Sequence, residues 1–434
     1  MQAPHTSASS SSSQSTLNDK AKSEKPRTGE TPRDRRNRWI KQALSGPLGD
    51  FVFRPWVDKV GYTALNTLTV PLSAVWAAAV RADGEVTRFR AEYPISRPLI
   101  AAERWALRQI AANGRKLAQV DKLWHRAFFS SHSVPHERLV FLETERRSAS
   151  SRWRASAMGL ARLVLQKDSA PHAQSPSRVR FAIPGTAEVE NAHGHRITNP
   201  KAAFAIPSPL PQIDRSHTIT RNGKREYWLR FPSPGSRMGD AAYAHVTEPA
   251  EAPIRGSFVF SSGLGIEPEH MPAGGLSPLH DVVDAGLRIV ELETPWHGRR
   301  LPWGYFAGER IFATAPLGAL DLFDAMVREI GVMIAWARNQ PTEETAAPVG
   351  IGGVSLGAIA GSLAISHMRH WPEKCRPDGA FLIVPGAPLA DISFDGAIPK
   401  LFGVDKALSK AAWTRPLLDQ YSALTDPDRS AMMT

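Results

Sequence analysis

Four short apolar runs occupy the second half of the chain: Gly256 to Phe260, Leu287 to Leu292, Val349 to Gly353 and Gly379 to Val384. Helical segments separate them. Runs without polar alternation are strands buried on both faces, and helices between such strands imply an α/β fold with a doubly wound, mostly parallel sheet. Tyr227 to Phe231 and Ala241 to Val246 read as two further strands ahead of them. Right-handed crossovers place the loops that follow the strands along one sheet edge, where sites form.

The third run leads straight into Gly353-Val354-Ser355-Leu356-Gly357, and a helical stretch, Ala358 to His370, begins at once. A bare Gly-x-Ser-x-Gly arises by chance about one time in six in a chain of this length, so the strand, turn and helix around it carry the argument. The turn that lifts a serine above a sheet edge strains its backbone and crowds the flanking positions, which glycine alone relieves. A plainer reading is that these glycines only let a helix pack closely on a strand. Serine chemistry needs a base, an acid that orients it, and donors for the oxyanion. Leu356 supplies the first donor by position. The loop after Gly256 to Phe260 reads Ser261-Ser262-Gly263-Leu264-Gly265, which makes Gly263 or Leu264 the expected second donor.

On these residues the chain resembles the α/β-hydrolase superfamily over roughly residues 225 to 434. Within it, the layout is similar to α/β-hydrolase-domain proteins with a long N-terminal helical extension. The resemblance implies an esterase, lipase, thioesterase or amidase acting through an acyl-enzyme on Ser355. It implies no cofactor, and it leaves the substrate open. The loop from Thr294 to Gly304, with Trp296, His297, Arg299, Arg300 and Trp303, belongs on the same edge and reads either as a pocket wall or as a rigid Pro- and Trp-packed loop.

The family order of nucleophile, acid and histidine is not met. The histidines that follow Ser355 are His367 and His370, and His370 lies about 22 Å along the helix from the serine. About fifty residues follow Pro385, short of the two further strands that would deliver acid and base. The expectation is therefore a hydrolase-like domain lacking its last strands, one that has lost its triad, or one whose base comes from upstream. For that base His297 is the first candidate and His270 the second. Asp391, or Asp395, would serve as the acid, although Asp in such loops is commonly a turn former.

The organisation expected along the chain is a disordered leader over 1–37, a basic helical region over 38–165, a connector over 166–225 with short strands such as Val179 to Ile183, and the hydrolase-like domain over 226–434. Charge is uneven. Residues 1–180 hold 30 Lys and Arg against 15 Asp and Glu, while the whole chain carries +11. That basicity suits an anionic membrane surface, an acidic partner or a solvated face, and no zinc-finger, RNP-like or basic-zipper pattern points to nucleic acid. Leu107, Ile110, Leu117, Val120 and Trp124 recur at helical steps with Arg and Lys between them. Tyr62 to Val80 is apolar but interrupted, so no spanning helix is expected. One cysteine, Cys375, excludes an intramolecular disulfide framework, and no metal-ligand spacing appears. The expected setting is cytoplasmic, with peripheral membrane contact and a small-molecule or lipid ester as substrate.

Overall fold

The computed structural model describes residues 59–60, 63–165, 179–235, 237–265, 278–344, 346–384, 386 and 388–432. The leader expected over 1–37 lies outside them. All elements below belong to one unit, Gly61–Thr434. The helices of seven residues or more are α1 Val70–Ala82, α2 Val86–Glu92, α3 Ala101–Phe128, α4 His136–Ala155, α5 Thr186–Thr198, α6 Pro278–Asp284, α7 Leu317–Arg338, α8 Leu356–His367, α9 Leu389–Asp395 and α10 Val404–Lys410. The strands are β1 Asp214–Arg215, β2 Ile219–Arg221, β3 Lys224–Pro232, β4 Ala241–Pro249, β5 Gly256–Ser261, β6 Leu287–Leu292, β7 Val349–Val354 and β8 Gly379–Ile383.

The eight strands form one sheet in the order β1-β3-β4-β6-β5-β7-β8, with β2 also paired to β3. The sheet is mixed, which corrects the expectation of a mostly parallel one. β5 pairs in parallel with β6 and β7, and β7 with β8. The pairings of β1, β2 and β4 with β3, and of β4 with β6, are antiparallel. Apolar runs reveal that a strand is buried but not which way it points. Direction follows from the connections: β3 and β4 are joined by a short loop that only an antiparallel pair can use, while β6 to β7 and β7 to β8 cross over through α7 and α8.

Helix α7 is apolar on nearly all sides and buried along most of its length, lying against β5, β6, β7 and α8. Its two buried carboxylates are both paired: Asp324 with Arg196 of α5 at 3.0 Å, and Glu329 with Arg300 at 2.9 Å. Helix α5 falls in the stretch expected to be an extended connector. Its polar composition concealed a helix whose inward positions include Val189, His193 and Arg196. Val179 to Ile183, expected as a strand, makes no ladder; Ala182 N–H donates instead to Ala313 O at 2.7 Å.

Helices α1 to α3 share one buried cluster with the sheet and α7, through residues such as Trp76, Phe89, Leu107 and Ile110. Helix α3 starts cleanly after Pro98: the Glu103 carboxylate accepts the Ile100 N–H at 2.9 Å and binds both guanidinium arms of Arg97. Those Arg97 hydrogen bonds hold Glu103 below the usual carboxylate range. A second cluster joins Trp124 and Phe128 of α3, Leu139 and Leu142 of α4, and Trp228 of β3.

Candidate active site

The turn between β7 and α8 is built by close packing. A Cβ on Gly353 would collide with the Gly357 carbonyl and Ala358 N, and a Cβ on Gly357 would collide with the backbone of Ser261 and Ser262. These two glycines thus press the start of α8 against the loop that follows β5. Ser355 sits between them at φ 52° and ψ −113°, a region that non-glycine residues rarely occupy. Its N–H donates to Ile383 O at 2.8 Å and its carbonyl accepts from Ile359 N–H at 3.0 Å, so both sides of the strained residue are pinned. The side chain is exposed, and its hydroxyl meets no hydrogen-bond partner among the described residues.

Leu356 and Gly357 open α8, where N–H groups lack intrahelical acceptors. Gly263 and Leu264 follow directly on the Ser261–Ser262 segment that Gly357 touches, and their N–H groups donate to no acceptor among the described residues. Four backbone donors, two at the start of α8 and two in the loop after β5 that packs on it, are therefore uncommitted. Such a cluster attracts negative charge.

His297 is held by other partners. It is buried, its Nδ1 donates to Pro295 O at 2.9 Å, and its Nε2 accepts the Gly265 N–H at 2.9 Å. Since Nε2 already holds a proton donor, this arrangement offers no lone pair for a proton from Ser355. The ring instead ties the loop after β6 to the loop after β5. The tautomer follows from those partners. His270 lies outside the described residues. His367 is buried against Ser430, 2.5 Å from its Oγ, and His370 ends the short turn after α8.

Asp391 stands in the first turn of α9, exposed, and pairs with Arg415 at 2.8 Å; Arg415 also binds Asp395. No histidine joins it among the described residues, so the structure does not assemble Ser355, His297 and Asp391 into one relay. Among the described residues no group of His, Cys, Asp and Glu could hold a metal ion.

Sequence reasoning placed the Thr294 to Gly304 loop on this edge and missed what fixes it. Arg300 is buried and reaches Asp240 at 2.8 Å, Glu329 at 2.9 Å and the Glu293 carbonyl at 3.0 Å. Glu293 Oε1 accepts the Arg299 N–H at 2.9 Å. Arg299 itself lies over Trp228 at 3.8 Å and Trp124 at 4.2 Å. Burial pushes Glu329 up despite Arg300, while Asp240 and Glu329 hold the Arg300 charge in place. An adjacent Arg-Arg pair in an otherwise apolar, Pro-rich loop was the signal available.

No helix among the described residues is long and apolar enough to cross a membrane. No family model matches the chain, and no curated protein matches it in sequence. Its similarity is to solved structures, and it is distant. Acetyl xylan esterase 1 from Thermoanaerobacterium sp. aligns at 13% identity and a TM-score of 0.35, covering 58% of this chain and 76% of that one. An acetyl xylan esterase from Paenibacillus sp. R4 aligns at 11% identity and a TM-score of 0.37, covering 57% and 76%. An S-formylglutathione hydrolase from Agrobacterium tumefaciens aligns at 16% identity and a TM-score of 0.29, covering 46% and 73%.

Proposed function

We propose that the chain is a serine hydrolase of the α/β-hydrolase type that acts on an ester or acyl substrate through an acyl-enzyme on Ser355. The observation that carries this reading is the left-handed backbone of Ser355, held between β7 and α8 by two glycines that tolerate no side chain. Strain of this kind persists only where the surroundings enforce it, and it gathers at functional residues. In this reading the turn is a nucleophile elbow. Ser355 Oγ attacks the substrate carbonyl carbon, its proton passes to a base, and the tetrahedral oxyanion is met by N–H groups of Leu356 and of Gly263 or Leu264. Collapse expels the alcohol or other leaving group, which takes that proton. Water then attacks the acyl carbon and returns the free acid and the Ser355 hydroxyl.

His297 acts in this scheme by fixing the oxyanion loop through Gly265, so the base is a residue other than His297. The substrate is a small-molecule ester, and the exposed position of Ser355 suits one presented from solution or from a lipid surface.

A second reading, a binding protein that keeps the fold without turnover, draws on one observation: the Ser355 hydroxyl is hydrogen-bonded to no imidazole among the described residues, and His297 is committed to Pro295 and Gly265. Hydrolysis of p-nitrophenyl acetate and butyrate by the full chain and by Ser355→Ala separates the two. Turnover abolished in the variant supports the hydrolase. Equal slow turnover in both removes it.

A further inference from the structure

Helix α3 has one side fixed in the protein and another that carries charge of one sign. Ala106, Leu107, Ile110, Trp124 and Phe128 are buried, so the helix cannot roll to present them. Opposite them, Arg104, Arg108, Arg115, Lys116, Lys122 and Arg126 are all exposed. At about 100° per residue, five of these six fall within about 40° of arc along a helix about 42 Å long. Lys116 flanks them beside Trp105, which is 62% exposed, and Leu123, which is 41% exposed.

The two carboxylates of the helix do not balance this row. Glu103 is buried under Arg97, and Asp121 faces Arg299 at 3.7 Å. Arg115 pairs with Asp83 at 2.7 Å across exposed surface, a contact of small worth. Arg104 with Arg108, and Lys122 with Arg126, are like charges at i,i+4 spacing, an unfavourable placement on an isolated helix. A face that served only solubility would gain by mixing signs. Exposed Trp and Leu beside it add a feature that charge alone does not explain.

We infer that the outer face of α3 docks the protein on an anionic lipid surface. The cations meet lipid phosphate and carboxylate groups, and Trp105 enters the headgroup layer, where its amphipathic ring is favoured. The helix lies flat and its apolar side stays in the protein core. This inference is independent of the chemistry at Ser355, so either can fail without the other.

The test uses the full chain and vesicles of phosphatidylcholine with phosphatidylserine, against phosphatidylcholine alone, at low and high salt. Binding is expected to the mixed vesicles only and to weaken with salt. The combined variant Arg108→Gln, Lys116→Gln, Lys122→Gln and Arg126→Gln, checked for an unchanged far-ultraviolet circular dichroism spectrum, should bind at least about tenfold more weakly. Trp105→Phe should remove the part of the fluorescence blue shift that vesicles induce. Undiminished binding by the combined variant would overturn the proposal, since basic residues elsewhere, such as Arg33, Arg35, Arg36 and Arg38, would then carry it. So would an absence of vesicle binding, or duplex RNA binding that the same variant abolishes while vesicles are ignored.

Discussion

The two halves of the sheet are held by different physics. The parallel half, β5, β7 and β8, is assembled from glycine and apolar residues, and its key contacts are backbone against backbone: Gly357 on Ser261, Gly353 on Gly357, Ser355 N–H on Ile383 O. The antiparallel half, β3, β4 and β6, is laced with buried charge. Glu226 of β3, His245 of β4 and Glu291 of β6 line up on neighbouring strands, and Arg288 of β6 binds Glu248 of β4 at 2.7 Å. The serine turn of the first half has no room for a side chain at Gly353 or Gly357, whereas the second half depends on buried ion pairs. Each half should therefore fail to a different substitution.

The largest effect belongs to buried charge next to the charged half, in the loop that follows β6. Arg300→Met leaves Glu329 buried beside an apolar chain and takes the partner from half-exposed Asp240, and stability should fall by about 3–5 kcal/mol in urea unfolding. Adding Glu329→Leu should restore a measurable part of it, because the uncompensated charge is then gone. Next comes the glycine half. Gly357→Ala drives a methyl into the Ser261 carbonyl and should cost about 1–3 kcal/mol; under the proposed hydrolase reading, turnover of p-nitrophenyl esters should fall by a larger factor, since the loop after β5 is what must move. If it proves neutral, the packing account of the serine turn is wrong.

Smaller still is Arg299→Lys. The guanidinium plane stacks on Trp228 and Trp124, and an ammonium cannot reproduce that geometry, so a loss of about 1–2 kcal/mol is expected. The smallest is a pH dependence. Burial pushes the His245 pKa down, but Glu226 and Glu291 more than offset it and leave it above its usual value. A raised folded-state pKa means that this stability is fully present below the unfolded-state value near 6.5 and is lost as pH rises through the folded one. Urea midpoints measured from pH 6 upward should decline, and His245→Gln should flatten that part of the profile.

The same contrast explains what could be read from the chain alone. Every strand of the parallel half was visible as an apolar run, and the tight turn at Ser355 could be located because glycine spacing reports backbone crowding directly. Strand direction, the helix at Thr186–Thr198 and the role of Arg300 could not be named in this way. Each depends on a partner distant in sequence: Arg300 needs Asp240 and Glu329, and α5 buries His193 and Arg196 only because Asp321 and Asp324 of α7 wait for them. His297 illustrates the limit. Topology placed it near the site, but its hydrogen bonds to Pro295 and Gly265 turn it from a candidate base into a strut.

On β8 and just after it, apolar residues stand without cover among the described residues: Phe381 is 65% exposed and Val384, at φ 54°, is 70% exposed. That edge adjoins the serine turn through Ile383, so anything that covers it bears on Ser355.

Labelling of the folded chain with a fluorophosphonate, beside Ser355→Ala, tests the central claim most directly. The account predicts one adduct, located by peptide mass spectrometry at Ser355 and absent from the variant. A folded protein that takes up no probe at Ser355 would contradict it.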